Sequence, residues 1–169
     1  MKLDGKRLRL YAVTDQAWAS GPDALLAQVA DAIDGGAGIV QLQEKHLDHD
    51  AFLEEAKRFV ALCREKGAIS IINDDVEIAL AVGADGVHVG QEDLAAGRAR
   101  EVLGPDKIVG VSAHSVAEAQ AAQAAGADYL GVGAAFVTGT KADAKPITRD
   151  TIRAITAAVD IPAVAIGGI

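Results

Sequence analysis

Seven short apolar runs, separated by stretches of helical spacing and nearly all followed by polar residues, predict an α/β fold of the TIM (β/α)8 barrel type. Strands 1–7 are expected here, with the eighth strand–helix unit missing from this chain. The runs are LRLYAVT (8–14), GIVQLQ (38–43), AISIIN (68–73), GVHVG (86–90), IVGVSA (108–113), YLGVGAAF (129–136) and PAVAIGGI (162–169). Each is too short for an amphipathic helix. Most are almost continuously apolar, as strands covered on both faces should be.

Between the runs lie DALLAQVADAIDGG, AFLEEAKRFVALCREKG, VEIALAVG, DLAAGRAREVLG, SVAEAQAAQAAG and TRDTIRAITAAV, rich in Ala, Leu, Glu, Arg and Gln. Most end in a glycine where a helix C-cap would fall. GGAGIVQL, VGADGVHV and AGADYLGVG each carry a Gly-Ala turn feeding straight into a run, which points to a repeated strand–helix unit. Short links between alternating strands and helices require parallel strands, because each helix returns the chain to the same end of the sheet. Polar residues follow nearly every run instead of gathering at one switch point, which favours a barrel over an open sheet. Residues 1–169 are expected to form one barrel domain. The last run ends at Ile169, whereas such barrels need an eighth strand and typically run to about 250 residues, so the domain is expected to be C-terminally incomplete.

The chain has 169 residues, half of them hydrophobic, and a formal charge of -8. That charge argues against general affinity for nucleic acid or anionic membrane, so a phosphorylated small molecule would have to be held locally. MKLDGKRLRLYAVTD lacks the apolar core of a signal peptide and no run is long enough to span a membrane, which reads as a cytoplasmic protein. Cys63, the single cysteine, has no base signalled near it and reads as a small buried filler. A homo-oligomeric state stays open.

At the C-terminal ends of barrel strands, residues distant in sequence converge on one mouth. In order these are Gln41, Gln43, Glu44 and Lys45; Asn73, Asp74 and Asp75; Gln91, Glu92 and Asp93; Ser112 and His114; Thr138, Thr140 and Lys141; and Gly167 and Gly168. The acidic clusters have a plain reading as helix caps: Asp74 or Asp75 before VEIALAVG, with Glu77 at box-like spacing from Asp74, and Asp93 before LAAGRAREVLG. Two clusters on adjacent strands about 5 Å apart also allow carboxylates to share one hard cation, and Mg2+ suits such a site because it binds through few carboxylates plus substrate phosphates. Lys45 and Lys141 add positive charge for a polyphosphate. FVTGTK places two hydroxyls and an ammonium on a glycine-containing loop, and AIGGI supplies bare backbone amides. His46 and His49 are expected in a charged loop and His88 as a packed or barrel-lining residue, while His114 sits at a strand end where it can tune the site.

QLQEK, NDDVEIAL, ADGVHVGQED, GVSAHS, TGTK and AIGGI resemble, in order and spacing, the signature segments of the thiamine-phosphate synthase family, also called thiamine-phosphate pyrophosphorylase. The resemblance runs from about Leu10 to the last residue. It implies a transferase of thiamine biosynthesis that joins 4-amino-5-hydroxymethyl-2-methylpyrimidine diphosphate to 4-methyl-5-(2-phosphoethyl)thiazole through a pyrimidine cation, releasing pyrophosphate with Mg2+ as cofactor. By motif, Asp74 and Asp93 would ligate the metal. Gln41, Leu42, Gln43, Glu44, Lys45, Asn73, Ser112 and Lys141 would hold the pyrimidine diphosphate, Ser112 and Lys141 with catalytic roles, and Thr138, Gly139, Thr140 and Gly168 would receive the thiazole phosphate. One position departs from the pattern: the family usually has QLREK, and Gln43 replaces an arginine that can fork onto diphosphate. The rivals are a thiazole tautomerase, whose members tend to lack the NDD and GQED pattern, and a non-catalytic phosphate-ligand-binding barrel.

Overall fold

Glycine-terminated helices feeding parallel strands organise the chain. A computed structural model describes residues 3–91, 95–136 and 147–169, and the chain falls into two compact units, Met1–His88 with Pro105–Ile108, and Val89–Gly104 with Val109–Ile169. The elements are β1 (Tyr11–Val13), α1 (Pro22–Asp34), β2 (Ile39–Leu42), α2 (His49–Lys66), β3 (Ile69–Asn73), α3 (Val76–Ala81), β4 (Gly86–Val89), α4 (Ala95–Leu103), β5 (Ile108–Ala113), α5 (Val116–Ala124), β6 (Tyr129–Gly133), α6 (Arg149–Ala157) and β7 (Ala163–Ile166). In the first unit β1, β2, β3 and β4 pair in that order, all parallel. In the second, β5 pairs with β6 and β6 with β7, again parallel.

The first apolar run is shorter than the sequence suggests. Arg7–Arg9 form a 3-10 turn and only Tyr11–Val13 are strand. The sequence expectation placed His49 in a loop, but it is the first residue of α2, because the Asp48 carboxylate caps that helix by accepting from the Ala51 amide at 2.9 Å.

The repeated Gly-Ala junction has one physical cause. At the end of α2, Gly67 takes φ +74° and the Ala68 amide reaches back to the Cys63 carbonyl at 2.9 Å, a closing bond that satisfies an orphan helix carbonyl. Ala37, Ala84 and Ala127 make the same bond to Ala32, Ala79 and Ala122, each at 3.0 Å. At two of these four junctions the next residue ties the turn to the preceding strand: Asp85 accepts from the Ser70 amide at 2.9 Å, and Asp128 from the Val109 amide at 2.8 Å, while Ile69 follows Ala68. Position 38 carries glycine instead, and an added Cβ there would lie 2.5 Å from the Arg7 carbonyl oxygen. The 3-10 turn occupies the space that a carboxylate fills elsewhere.

Strands β2 and β6 are buried along their whole length, so both faces of each are covered. Against the first unit's strands, α2 lays a stripe of Phe52, Ala56, Phe59, Val60 and Cys63, spaced three and four residues apart. Full burial of a side chain such as Phe59 or Leu42 stabilises by about 1.5–3 kcal/mol. Glu55 lies on the same stripe and is also buried. No helix among the described residues is long and apolar enough to cross a membrane. Because Arg7 packs so closely on Gly38, Gly38→Ala should lower the urea-unfolding free energy by about 1–3 kcal/mol, and wild-type stability in that variant would refute the close approach.

Candidate active site

In the first unit, the ends of β1, β2 and β3 are stitched together by side chains. The Thr14 amide donates to the Gln41 carbonyl at 3.0 Å, and the Thr14 hydroxyl oxygen accepts from the Gln43 amide at 3.0 Å. The Gln43 side-chain nitrogen donates to Asn73 Oδ1 at 3.3 Å, so these two predicted diphosphate ligands meet. Gln41 is only 3 % exposed and gives its Nε2 to the Tyr11 hydroxyl at 2.8 Å, inside the strand layer. Leu42 is fully buried, whereas Lys45 is exposed. Half-buried His88 lies on β4 opposite Asn73 in the ladder.

Glu44 folds its carboxylate back onto its own loop. Its Oε1 accepts from the amides of Lys45 at 2.7 Å, His46 at 2.7 Å and Leu47 at 3.2 Å, and its Oε2 accepts from Gln16 Nε2. Burial alone would raise its pKa, but these three amides and the Gln16 donor together hold it below the ordinary value. Gln16 also donates to Glu55 Oε1 at 3.2 Å. Glu55 is 3 % exposed, and its Oε2 is buried without a hydrogen-bond partner among the described residues. Burial, then the Glu44 charge, push its pKa up against the opposing pull of Gln16 and Arg58.

The link from β3 to α3 has two residues, Asp74 and Asp75, and they divide the work. Asp75 is the cap: its carboxylate accepts from the Ile78 amide at 2.8 Å. The expected box between Asp74 and Glu77 does not form, since Asp75 holds the cap position and puts Ile78, not Glu77, three residues on. Asp74 has φ +62°, rare for a residue with a side chain. The Asp75 amide bonds the Asn73 carbonyl at 2.7 Å, closing a γ-turn about Asp74 of the strained positive-φ kind, and the Asp74 amide donates to the His88 carbonyl at 2.8 Å. The Asp74 carboxylate is exposed and, among the described residues, has no hydrogen-bond or ion-pair partner.

In the second unit Ser112 is half-buried near the end of β5, and its carbonyl accepts from the Gln91 side chain. Ser115 caps α5, and Glu118 accepts from the His114 amide at 2.7 Å and lies 3.1 Å from His114 Nδ1, so His114 is tied to the helix start. After β7, Gly167 and Gly168 take φ +94° and +73°, and the Gly167 carbonyl accepts from the Phe136 amide at 2.9 Å. Glu92, Asp93, Thr138, Gly139, Thr140 and Lys141 lie outside the described residues. Among the described residues no cluster of three or more His, Cys, Asp or Glu forms a metal site. Cys63 is fully buried, with its thiol pushed up to about 12 by burial and then by the Asp85 charge, which leaves it inert.

Sequence reasoning missed Thr14, Gln16 and Glu55. The first two stand in no motif. Glu55, however, was legible as the one acid on the apolar stripe of α2, three residues after Phe52 and four before Phe59.

Alternating parallel strands and helices with polar side chains gathered at the strand ends define an α/β enzyme of barrel type. The solved thiamine phosphate pyrophosphorylase from Pyrococcus furiosus matches with a TM-score of 0.86 and 39 % identity, over 97 % of this chain and 77 % of that one, which places this chain in the TIM-like barrel fold class. The family described as thiamine monophosphate synthase matches residues 10–169, and the chain belongs to that family of transferases. A thiamine-phosphate synthase from Shouchella clausii is 47 % identical over 165 residues, covering 97 % of this chain and 78 % of that protein. A thiamine biosynthesis bifunctional protein from Symbiobacterium thermophilum is 46 % identical over 165 residues, 97 % of this chain and 33 % of that protein.

Glu55 gives a test with a definite sign. An acid whose pKa is raised by folding holds its proton more tightly in the folded state, so its contribution to stability is fullest below 4.5 and is lost as pH rises through the raised value. Glu44, shifted down, acts in the opposite window: its contribution is lost as pH falls below 4.5. The unfolding free energy of Glu55→Gln should therefore gain on that of the wild type as pH rises from 4.5 toward neutrality, and a pH-independent difference would contradict the buried-acid assignment.

Proposed function

We propose that the chain condenses 4-amino-5-hydroxymethyl-2-methylpyrimidine diphosphate with 4-methyl-5-(2-phosphoethyl)thiazole, giving thiamine phosphate and pyrophosphate. The observation that carries this reading is Asp74: a carboxylate held at φ +62°, exposed and without a partner among the described residues, at the end of a strand beside Asn73. Backbone strain of this kind costs of order 1–3 kcal/mol and persists where the surroundings over-determine it, often at functional sites. A cap does not account for it, because Asp75 is the cap. A carboxylate oxygen suits a hard divalent cation, and Asp74 with Asp93 would hold it. When bound, Mg2+ neutralises charge on the departing diphosphate.

The remaining work falls to the chain. Gln43 and Asn73, already hydrogen-bonded to each other, donate amide protons to diphosphate oxygens, and Lys45 supplies charge from the same loop. Lys141 and Ser112 stabilise the leaving group as the bond to the pyrimidine methylene breaks and a cation forms, stabilised by the electron-rich ring. Thr138, Gly139, Thr140 and Gly168 hold the thiazole phosphate so that the ring nitrogen faces that carbon. No enzyme nucleophile is needed, and alignment with exclusion of water provides the rest.

Pyrophosphate release from the two substrates together, with and without EDTA, tests the proposal. Release that needs both substrates and stops on chelation is expected. Turnover of the thiazole phosphate alone would indicate a tautomerase, and binding without release a ligand-binding barrel. Gln43→Arg restores a charge to a neutral amide position, so its KM for the pyrimidine diphosphate should fall several-fold. An unchanged KM would remove Gln43 from the diphosphate site.

A further inference from the structure

We propose that Gln16 and Glu55 are positioning residues for the loop that carries Lys45, acting through Glu44; the proposal rests on the reading of that loop as a diphosphate-holding segment. Three successive amides, those of Lys45, His46 and Leu47, converge on a single oxygen of Glu44, so the path of the loop follows wherever that carboxylate sits. The same three donors are turned inward and are not offered to a substrate. Phosphate recognition on this loop is left to side chains, Gln43 and Lys45, whose reach depends on the backbone beneath them.

The carboxylate of Glu44 is in turn set from outside the loop. Its second oxygen accepts from Gln16, which stands in the 3-10 turn Gln16–Trp18 following β1. Gln16 has one side-chain nitrogen with two protons, and the other proton goes to Glu55, 39 residues away on the buried stripe of α2. A helix, a 3-10 turn and the β2 loop are thereby joined through one amide. An apolar residue would pack position 55 without the cost of a buried acid, whose second oxygen finds no partner among the described residues. What Glu55 provides that an apolar residue cannot is an acceptor that fixes the rotamer of Gln16. Arg58 and Glu44 act on it as charges, and Gln16 is its hydrogen-bond partner among the described residues.

The test combines amide hydrogen exchange with kinetics on Gln16→Ala, Glu55→Leu and Glu55→Gln. Gln16→Ala is expected to speed exchange at the amides of Lys45, His46 and Leu47 by about tenfold and to raise the KM for the pyrimidine diphosphate by about tenfold with kcat within about twofold, as for one lost charge-assisted hydrogen bond. Glu55→Leu should do the same. Glu55→Gln keeps an acceptor oxygen and should stay near the wild type in both readouts. Faster exchange with an unchanged KM would reduce the network to a structural brace and overturn the proposal, as would no change in either. A Glu55→Gln variant that behaves like Glu55→Leu would overturn the part assigned to Glu55. If the wild type releases no pyrophosphate, the proposed function fails separately, and the positioning role is read from affinity for inorganic pyrophosphate: tenfold weaker binding by Gln16→Ala supports it, equal binding refutes it.

Discussion

The short passage from β3 into α3 is the constraint on which the rest of the site depends. Only two residues separate the strand from the helix, and here, unlike the equally short link from β5 to α5, the first of them takes a positive φ. Asp75 must adopt an extended conformation to cap α3, and the turn is completed by Asp74 in a left-handed γ-turn. Two backbone bonds, one across the turn and one to β4, keep it there. The side chain is consequently released from local duty. Asp75, Asp48 and Asp15, by contrast, each fold the carboxylate back on an amide of the helix or 3-10 turn that follows.

Neighbouring groups follow from that placement. Asn73, the residue before the turn, presents its amide oxygen to Gln43, which ties the end of β3 to the end of β2. Gln43 in turn hangs on Thr14 through its backbone amide, bringing in β1. A continuous polar rim therefore runs over three strand ends of the first unit, with the exposed carboxylate of Asp74 at one side and exposed Lys45 at the other. Beneath it, Glu44 is drawn into its own loop and is a structural anion with a lowered pKa. A site for a polyphosphate in so acidic a chain requires this separation, since a carboxylate free to face the substrate without a metal would repel it.

Much of this was legible in the sequence, and the reasons differ between elements. Seven strands and their helices could be read because their signals are strong and local: continuous apolar runs, three-four spacing and the Gly-Ala ends that prove to be a recurring closing bond. The first strand was read too long, because its leading residues look like a strand, whereas Arg7–Arg9 form a 3-10 turn whose Arg7 backbone lies against Gly38. That Gln43 and Asn73 share one end of the sheet was legible from parallel topology, whereas their hydrogen bond depends on the register of β2 on β3. Which of two adjacent aspartates would cap was not, since it depends on a single backbone dihedral at Asp74. Gln16 escaped notice for a related reason: a glutamine in a polar turn carries no pattern, and its importance comes from two acids, Glu44 and Glu55, that only the fold brings to it.

The account is tested most directly by Asp74→Gly, assayed for urea-unfolding free energy and for Mg2+-dependent pyrophosphate release. Glycine accepts φ +62° without strain but adds freedom to the unfolded chain, and these effects of about 1 kcal/mol oppose each other. Stability should therefore stay within about 1 kcal/mol of the wild type while release is lost. Retained Mg2+-dependent release would contradict the assignment of Asp74 to the metal, and a large loss of stability would show that its carboxylate serves the fold.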